Sequence, residues 1–361
     1  MTAPVRIGVL GCADIARRRM LPAFAASGDT VLAAVASRDE ERAARTALPY
    51  GCRAVAGYAE LVSLPGVDAV YVPLPVALHA EWVEAALRAG KHVLAEKPLT
   101  TDPDRTRQLF ALARARGLVL RENVMFVHHP QHAAVRRLVA DGAVGELRSF
   151  HAAFTVPRRP EGDVRLDPGL GGGALWDVGV YPVRAAAHFL GGGLRVAGAV
   201  LTRDRHGREV DTAGGALLRT PEGVTAHLDF GLDHAYRSTY ELRGSEGVLT
   251  VDHAFTPPPD RAPVLRLVQG PESREVRLPA ADQVALTVRA FAQAVRAAEA
   301  GGPFAGATVH GAAAAAAASA ASADWSEEAS LLQADLLADV LRGADGALAR
   351  ASAPSSGTEY S

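Results

Sequence analysis

Lysine is almost missing from this chain: of 38 basic residues only Lys91 and Lys97 are lysines, and the rest are arginine. Surface arginine therefore carries little weight, being the default cation, whereas each lysine asks for a reason. Cysteine is equally scarce. Cys12 and Cys52 are too few for the disulfide framework of a small secreted domain, and neither lies in a metal-ligand spacing such as C-x-x-C. A reducing, cytoplasmic setting is expected. No apolar run with membrane character reaches roughly 18 residues, and the N-terminal Met1-Thr2-Ala3-Pro4-Val5-Arg6-Ile7 lacks the basic head and apolar core of a signal peptide. The alanine tract at 312–318 is too short and too weakly hydrophobic to change that. Charge of one sign is missing as well: a net charge of −2 provides no broad basic field, so neither nucleic acid nor membrane is the expected partner. Small molecules fit better.

What is present is length and alternation. The 361 residues suffice for two domains. Apolar runs at Val5–Leu10, Val31–Ala36, Ala69–Val72, His92–Ala95 and Leu118–Leu120 alternate with amphipathic stretches such as Ala13–Ala26 and His79–Ala89. Strands and helices at this spacing form βαβ units, hence a parallel sheet covered on both faces. Asp102-Pro103 is an N-cap and first-turn pair, so a helix should begin there.

From Gly145 the pattern becomes strand after strand: Leu147–Val156, Leu194–Arg203, Gly214–Arg219, Val224–Gly231, Ser238–Arg243, Val248–Val251, Val264–Val268 and Glu275–Leu278. One helix from Gly173 to Leu190 interrupts them, and Ala281–Ala300 and Ser326–Arg342 supply others. The expected class is α/β: an N-terminal Rossmann parallel sheet over 1–122, then an α+β domain with a large open, mainly antiparallel sheet over 123–345. An alanine-rich low-complexity insertion is expected at 301–324 and a flexible tail at 346–361.

Gly8-Val9-Leu10-Gly11-Cys12-Ala13-Asp14-Ile15-Ala16 follows the first strand and opens a helix, the place of a dinucleotide fingerprint. Ala13 and Ala16 occupy the second and third glycine places. A Cβ at the second limits how closely backbone approaches a pyrophosphate, but the helix N-terminus still offers N–H donors. After the second strand, Ser37-Arg38 suits a 2′-phosphate and so favours NADP(H), while Asp39 leaves NAD open.

Lys97 stands just past the His92–Ala95 run, at the carboxyl edge where open parallel sheets bind ligands. Pro98 biases it away from helical geometry and so holds it at the strand end. Asp177 and Tyr181, four apart in Gly171-Gly172-Gly173-Ala174-Leu175-Trp176-Asp177-Val178-Gly179-Val180-Tyr181, share a helical face. Gly179 between them leaves room for a substrate or for the neighbouring domain. A tyrosine beside a cation can donate a proton to an alkoxide, and Lys97 can be that cation.

Glu96-Lys97-Pro98 and the Gly-Gly-Gly-Ala-Leu-x-Asp-x-Gly-x-Tyr run resemble the glucose–fructose oxidoreductase/inositol dehydrogenase family. Gly-Cys-Ala-Asp-Ile-Ala at 11–16, Val-Tyr-Val-Pro-Leu-Pro at 70–75, Leu-His-Ala-Glu-Trp at 78–82 and His-His-Pro-Gln-His at 128–132 resemble its actinobacterial nucleotide-sugar C-3 ketoreductases. So does Ala254-Phe255-Thr256-Pro257-Pro258. The resemblance implies NADPH-dependent reduction of the C-3 keto group of a dTDP-linked 3,4-diketo-2,6-dideoxyhexose. It implies cofactor contacts from Gly11, Cys12, Ala13, Asp14, Ile15, Ser37 and Arg38, and a nicotinamide side lined by Tyr71, Pro73, Leu74 and His79. Glu96, Lys97 and Asn123 would stand near the reacting carbonyl, with Lys-Pro often a cis peptide. His128, His129 and His132 lack an acidic partner, so no metal is expected.

The catalytic set is then Lys97, Tyr181 and Asp177. Tyr181 supplies the proton, Lys97 stabilises the alkoxide, and Asp177 orients Lys97 or a sugar hydroxyl. A buried lysine beside NADP+ could have a depressed pKa and itself be the acid, so either residue could give the proton. Arg165 and Tyr236 are candidates for binding the nucleotide part of the substrate. A homodimer or homotetramer through the C-terminal sheet is expected. Two other readings share the cofactor motifs: a dehydrogenase of a free sugar or cyclic diol, and a non-catalytic NADP-binding regulator.

Overall fold

The computed structural model describes residues 3–203, 209–301 and 325–352. Two sheets organise it. The first is parallel, with strands β1 (Val5–Leu10), β2 (Thr30–Ser37), β3 (Arg53–Ala56), β4 (Ala69–Val72), β5 (His92–Glu96) and β6 (Leu120–Asn123) in the order β3-β2-β1-β4-β5-β6. That order reverses between β1 and β4, so their carboxyl ends open a crevice at the switch point. Strands β4 and β5 are buried at every residue, as a sheet covered on both faces requires. Helices α1 (Leu21–Ala26), α2 (Glu40–Ala47), α3 (Tyr58–Ser63), α4 (His79–Arg88) and α5 (Pro103–Ala115) cover it. Asp102 caps α5 by accepting from Asp104 N at 2.9 Å, with Pro103 in the first turn, as its sequence indicates.

The second sheet has eight strands in the order β14-β13-β12-β11-β7-β10-β9-β8. They are β7 (Leu147–Thr155), β8 (Arg195–Arg203), β9 (Asp211–Arg219), β10 (Thr225–Gly231), β11 (Arg237–Gly244), β12 (Val248–Asp252), β13 (Val264–Gln269) and β14 (Glu272–Arg277). Among the described strands of this sheet, only β7 and β10 pair in parallel. One face buries Phe150, Phe154, Leu228, Phe230 and Tyr240 beneath α7 (Val180–Leu190) and its neighbours; the other presents His151, His227, Glu241 and Arg243 to the outside. Helices α6 (Pro130–Ala140), α8 (Gln283–Glu299) and α9 (Glu327–Ser352) complete the fold.

The differences from expectation have physical reasons. Strand β3 has no apolar run to betray it, because an edge strand with only Val55 buried needs none. Strand β14 begins at Glu272, three residues early, and its charged residues suit an edge. The last parallel strand spans Leu120–Asn123 rather than Leu118–Leu120, so it runs one residue past the expected boundary at 122. Helix α9 continues through Ser352, past the expected start of the tail at 346, and residues 353–361 lie outside the described residues. The alanine tract lies outside the described residues. Cys12 and Cys52 are free thiols, and no described helix is long and apolar enough to cross a membrane.

Candidate active site

The crevice between β1 and β4 is roofed on one side by the glycine turn. Gly11 adopts φ +107°, a conformation a side chain resists, and a Cβ there would meet Leu74 Cδ2 at 2.9 Å. The turn thus packs directly against the loop after β4. The helix that follows has a π-helical turn at Ala16–Met20 before α1. Cys12 is buried, its carbonyl accepting from Arg42 Nη2 at 3.0 Å; Asp14 is exposed and paired with Arg17. Ala13 and Ile15 are half-buried beside them.

At the end of β2, Ser37 is buried and Arg38 exposed. Asp39 caps α2, its Oδ1 accepting from Arg42 N at 3.0 Å. That carboxylate oxygen is engaged by the helix, which favours the Ser37-Arg38 pair as the ribose-end contact and hence a 2′-phosphate.

Tyr71 and His79 sit deeper than a lining position. Tyr71 has no exposed surface and donates its hydroxyl to Glu96 Oε1 at 2.6 Å; burial and Glu96 hold its pKa well above the usual value. His79 presents Nδ1 to Pro98 O at 3.0 Å and Nε2 to Leu74 O at 2.7 Å. Burial pushes its pKa down. The ring therefore ties the β4 loop, with Pro73 and Leu74, to the turn after β5. Asn123 Nδ2 donates to Glu96 Oε1 at 2.6 Å, while Asn123 Oδ1 is buried without a partner. An orphaned acceptor beside the crevice, a backbone turn packed on the β4 loop and an available helix N-terminus together fit a dinucleotide.

Lys97 precedes a cis peptide bond to Pro98. Its Nζ donates to Asp177 Oδ1 at 3.0 Å and to the Asp177 carbonyl at 2.7 Å, and it stands 5.1 Å from the centroid of the Tyr181 ring. The sequence pair four apart does converge on the lysine, across a π-helical turn at Leu175–Gly179 rather than a regular helix. Arg165 Nε donates to the second Asp177 oxygen at 2.8 Å, and its Nη1 contacts Asp163 at 3.1 Å. Both Asp177 oxygens are thus occupied by cations. This favours an orienting role toward Lys97 over one toward a sugar hydroxyl.

The electrostatics of the three groups are coupled. Burial alone would lower the Lys97 pKa, but Asp177, Tyr181 and Glu96, with the Asp177 hydrogen bond, hold it above its usual value. These neighbours in the chain favour the charged form of Lys97. Asp177 is held low despite burial by Lys97 and Arg165. Tyr181 is raised by burial, which Lys97 opposes. Its hydroxyl has no hydrogen-bond partner among the described residues, and Phe154 packs edge-on at 4.7 Å. The expectation for Gly179 is corrected: the room it leaves is taken by Phe230, whose ring would lie 3.2 Å from an added Cβ.

Tyr236 is 47% exposed, donates to or accepts from Thr256 Oγ1 at 2.9 Å, and approaches Phe154 edge-on. Its link to the site runs through Phe154, which packs on Tyr181. The histidines of the 128–132 run are structural in their contacts: His129 Nδ1 caps α6, accepting from Gln131 N, and His132 bonds the Tyr240 hydroxyl at 2.8 Å.

Two acidic residues at the site were not among the candidates read from the sequence. Asp211 on β9 accepts from Leu175 N at 2.6 Å and so anchors the start of the site helix. Glu122 accepts from Leu99 N at 2.9 Å, two residues beyond Lys97. Position beside Asn123 at a strand end was the only hint for Glu122; Asp211 had none.

Residues 5–124 match the oxidoreductase family with an NAD-binding Rossmann fold, and residues 132–250 match the GFO/IDH/MocA C-terminal domain. The chain belongs to the GFO/IDH/MocA oxidoreductase family. It is 54% identical over 296 residues to dTDP-3,4-didehydro-2,6-dideoxy-alpha-D-glucose 3-reductase of Actinomadura kijaniata, covering 82% of this chain and 89% of that protein. The Streptomyces violaceoruber reductase of the same name is 56% identical, covering 82% of this chain and 87% of that one. Among solved structures, the 3-ketoreductase KijD10 of Actinomadura kijaniata, in complex with NADP and TDP-benzene, superposes with a TM-score of 0.86 at 50% identity. The match covers 94% of this chain and 98% of KijD10.

Proposed function

We propose that this GFO/IDH/MocA oxidoreductase reduces the C-3 keto group of a dTDP-3,4-diketo-2,6-dideoxyhexose with NADPH, in deoxysugar biosynthesis. The observation that carries the reading is the meeting of Lys97, Asp177 and Tyr181 at the carboxyl edge of the parallel sheet, in a chain more than half identical to reductases of that activity. NADPH, when bound, supplies the hydride. Gly11 through Ile15, with Ser37 and Arg38, would hold it; Asn123 and Glu96 would stand at its reactive end.

The chain's own residues do the rest. Lys97, kept charged by Asp177, lies where it can stabilise an oxyanion, since fixed charge in a water-poor site acts strongly. We assign the proton to Tyr181, whose hydroxyl has no hydrogen-bond partner among the described residues and whose ring lies beside Lys97, while Asp177 is held low by Lys97 and Arg165 and carries no proton to give. Arg165 retains an Nη2 group with no partner among the described residues, suited to an anionic substrate, and Tyr236 offers an aromatic surface at the rim. Assembly as a homo-oligomer would use the open face of the eight-stranded sheet, where Val200 and Leu217 are exposed beside a groove of about 410 Å³. The cytoplasm is the setting such a substrate implies.

A second reading has one observation in its favour: the D-xylose 1-dehydrogenase (NADP(+)) 2 of Haloferax volcanii is 37% identical over 81% of this chain. Cofactor oxidation or reduction with the enzymatically generated 3,4-diketo sugar, against free aldoses and cyclic diols, separates them. Turnover of the nucleotide-linked ketosugar alone is expected. Preference for a free sugar would replace the proposal, and NADP binding without any turnover would make the chain a non-catalytic binder.

A further inference from the structure

Glu122, at the carboxyl end of β6, and Arg184, on α7, are each 1% exposed and face one another at 3.4 Å from Oε2 to Nη1. Glu122 Oε1 accepts from the Leu99 amide at 2.9 Å and from Gln333 Nε2 at 2.6 Å, while Arg184 Nη1 donates to Gln333 Oε1 at 3.1 Å. Trp325 Nε1 donates to the Glu122 carbonyl at 2.5 Å. Three segments therefore meet on one carboxylate: the turn that carries Lys97, the helix that carries Tyr181 three residues before Arg184, and the start of α9.

A buried ion pair is a poor source of stability, since apolar packing of like volume does as well or better. It does fix geometry. Lys97 comes from the parallel sheet and Tyr181 from the helix packed on the antiparallel one, so their spacing depends on how the two sheets are held. We propose that Glu122 and Arg184, linked through Gln333, are positioning residues that set the Lys97-to-Tyr181 geometry across the two domains. The Leu99 bond holds the lysine side. The Arg184 contact holds the tyrosine side. The inference rests on Lys97 and Tyr181 being the reacting pair.

The test uses the full chain with Glu122→Gln, which retains an acceptor for Leu99, Glu122→Gln/Arg184→Met, which removes both charges together, and Arg184→Lys, which keeps a cation but loses the guanidinium fork. Steady-state kinetics are read beside hydrogen exchange of peptides covering 97–101 and 176–183. In the double variant kcat should fall about tenfold or more with the NADPH KM within about twofold, and exchange should rise in both peptides together. Arg184→Lys should lose less kcat than the double variant. Unchanged kcat in the folded double variant, exchange rising in one peptide only, or activity lost only in proportion to unfolded protein would each overturn the proposal. If the double variant does not fold, Glu122→Gln and Arg184→Lys decide by the same readings. Absence of wild-type turnover on the ketosugar would sink the substrate assignment, while the exchange readout still decides the coupling.

Discussion

The chain's two lysines stand at opposite ends of one strand and have opposite chemistry. Lys91, just before β5, donates its Nζ to the carbonyls of Leu64 and Val67, both at 2.8 Å. Lys97, just after it, bonds a carboxylate and lies over a tyrosine ring. Burial lowers the pKa of Lys91, whereas Asp177 and its neighbours outweigh burial and raise that of Lys97. The amino end of a parallel strand tolerates a lysine as a structural tie between loops. The carboxyl end uses one as a charge facing the crevice, because ligands bind there.

The largest break in that comparison comes from truncating each lysine. Lys97→Ala should lower kcat by about 10²–10⁴-fold, the range for a group acting on proton transfer and developing charge, with NADPH affinity little changed. Lys91→Ala should leave kcat per folded molecule intact but cost about 1–3 kcal/mol of stability by orphaning two carbonyls. Kinetics with thermal melts of both variants check this. Equal kinetic losses would end the distinction between the two strand ends.

A smaller effect tests which group gives the proton. Tyr181→Phe keeps the ring under Lys97 and its contact with Phe154, so the local packing survives while the hydroxyl is lost. A loss of about 10²-fold in kcat without loss of cofactor binding is expected. Full activity would return the proton to Lys97 or to water. Lys97→Arg should not rescue Lys97→Ala, since a guanidinium differs in shape and hydration from an ammonium.

The parts of this arrangement legible in sequence were those with strong local pattern. Strands such as Val5–Leu10 and Ala69–Val72 show as apolar runs because both faces are buried, and Asp102-Pro103 shows as a helix start because capping is local chemistry. The meeting of Lys97, Asp177 and Tyr181 was legible through scarcity and spacing. What stayed hidden was long-range: β3 has one buried residue, Asp211 reaches the site helix from 36 positions away in the chain, and the Glu122 contact with Arg184 spans 62. The sign of the Lys97 shift was hidden for the same reason. Desolvation can be guessed from a strand end, but the carboxylates that overcome it arrive through the tertiary fold.

The smallest effect concerns alkali, and it sharpens the comparison most directly. Lys97, whose pKa is raised on folding, stabilises the fold fully below its ordinary value of 10.5 and loses that contribution as pH rises through the higher folded value. Lys91 has a lowered folded pKa, so the unfolded chain holds that proton more tightly, and its contribution rises with pH between the folded value and 10.5. Deprotonation leaves Lys91 two N–H groups for its two carbonyls, but it removes the charge that Lys97 sets against Asp177. Denaturant midpoints from about pH 9 to about pH 11 should therefore fall less steeply in Lys97→Met than in the unaltered chain, and more steeply in Lys91→Met. Identical slopes in all three would mean that the two lysines differ only in their hydrogen bonds, and the electrostatic half of the comparison would have to be given up.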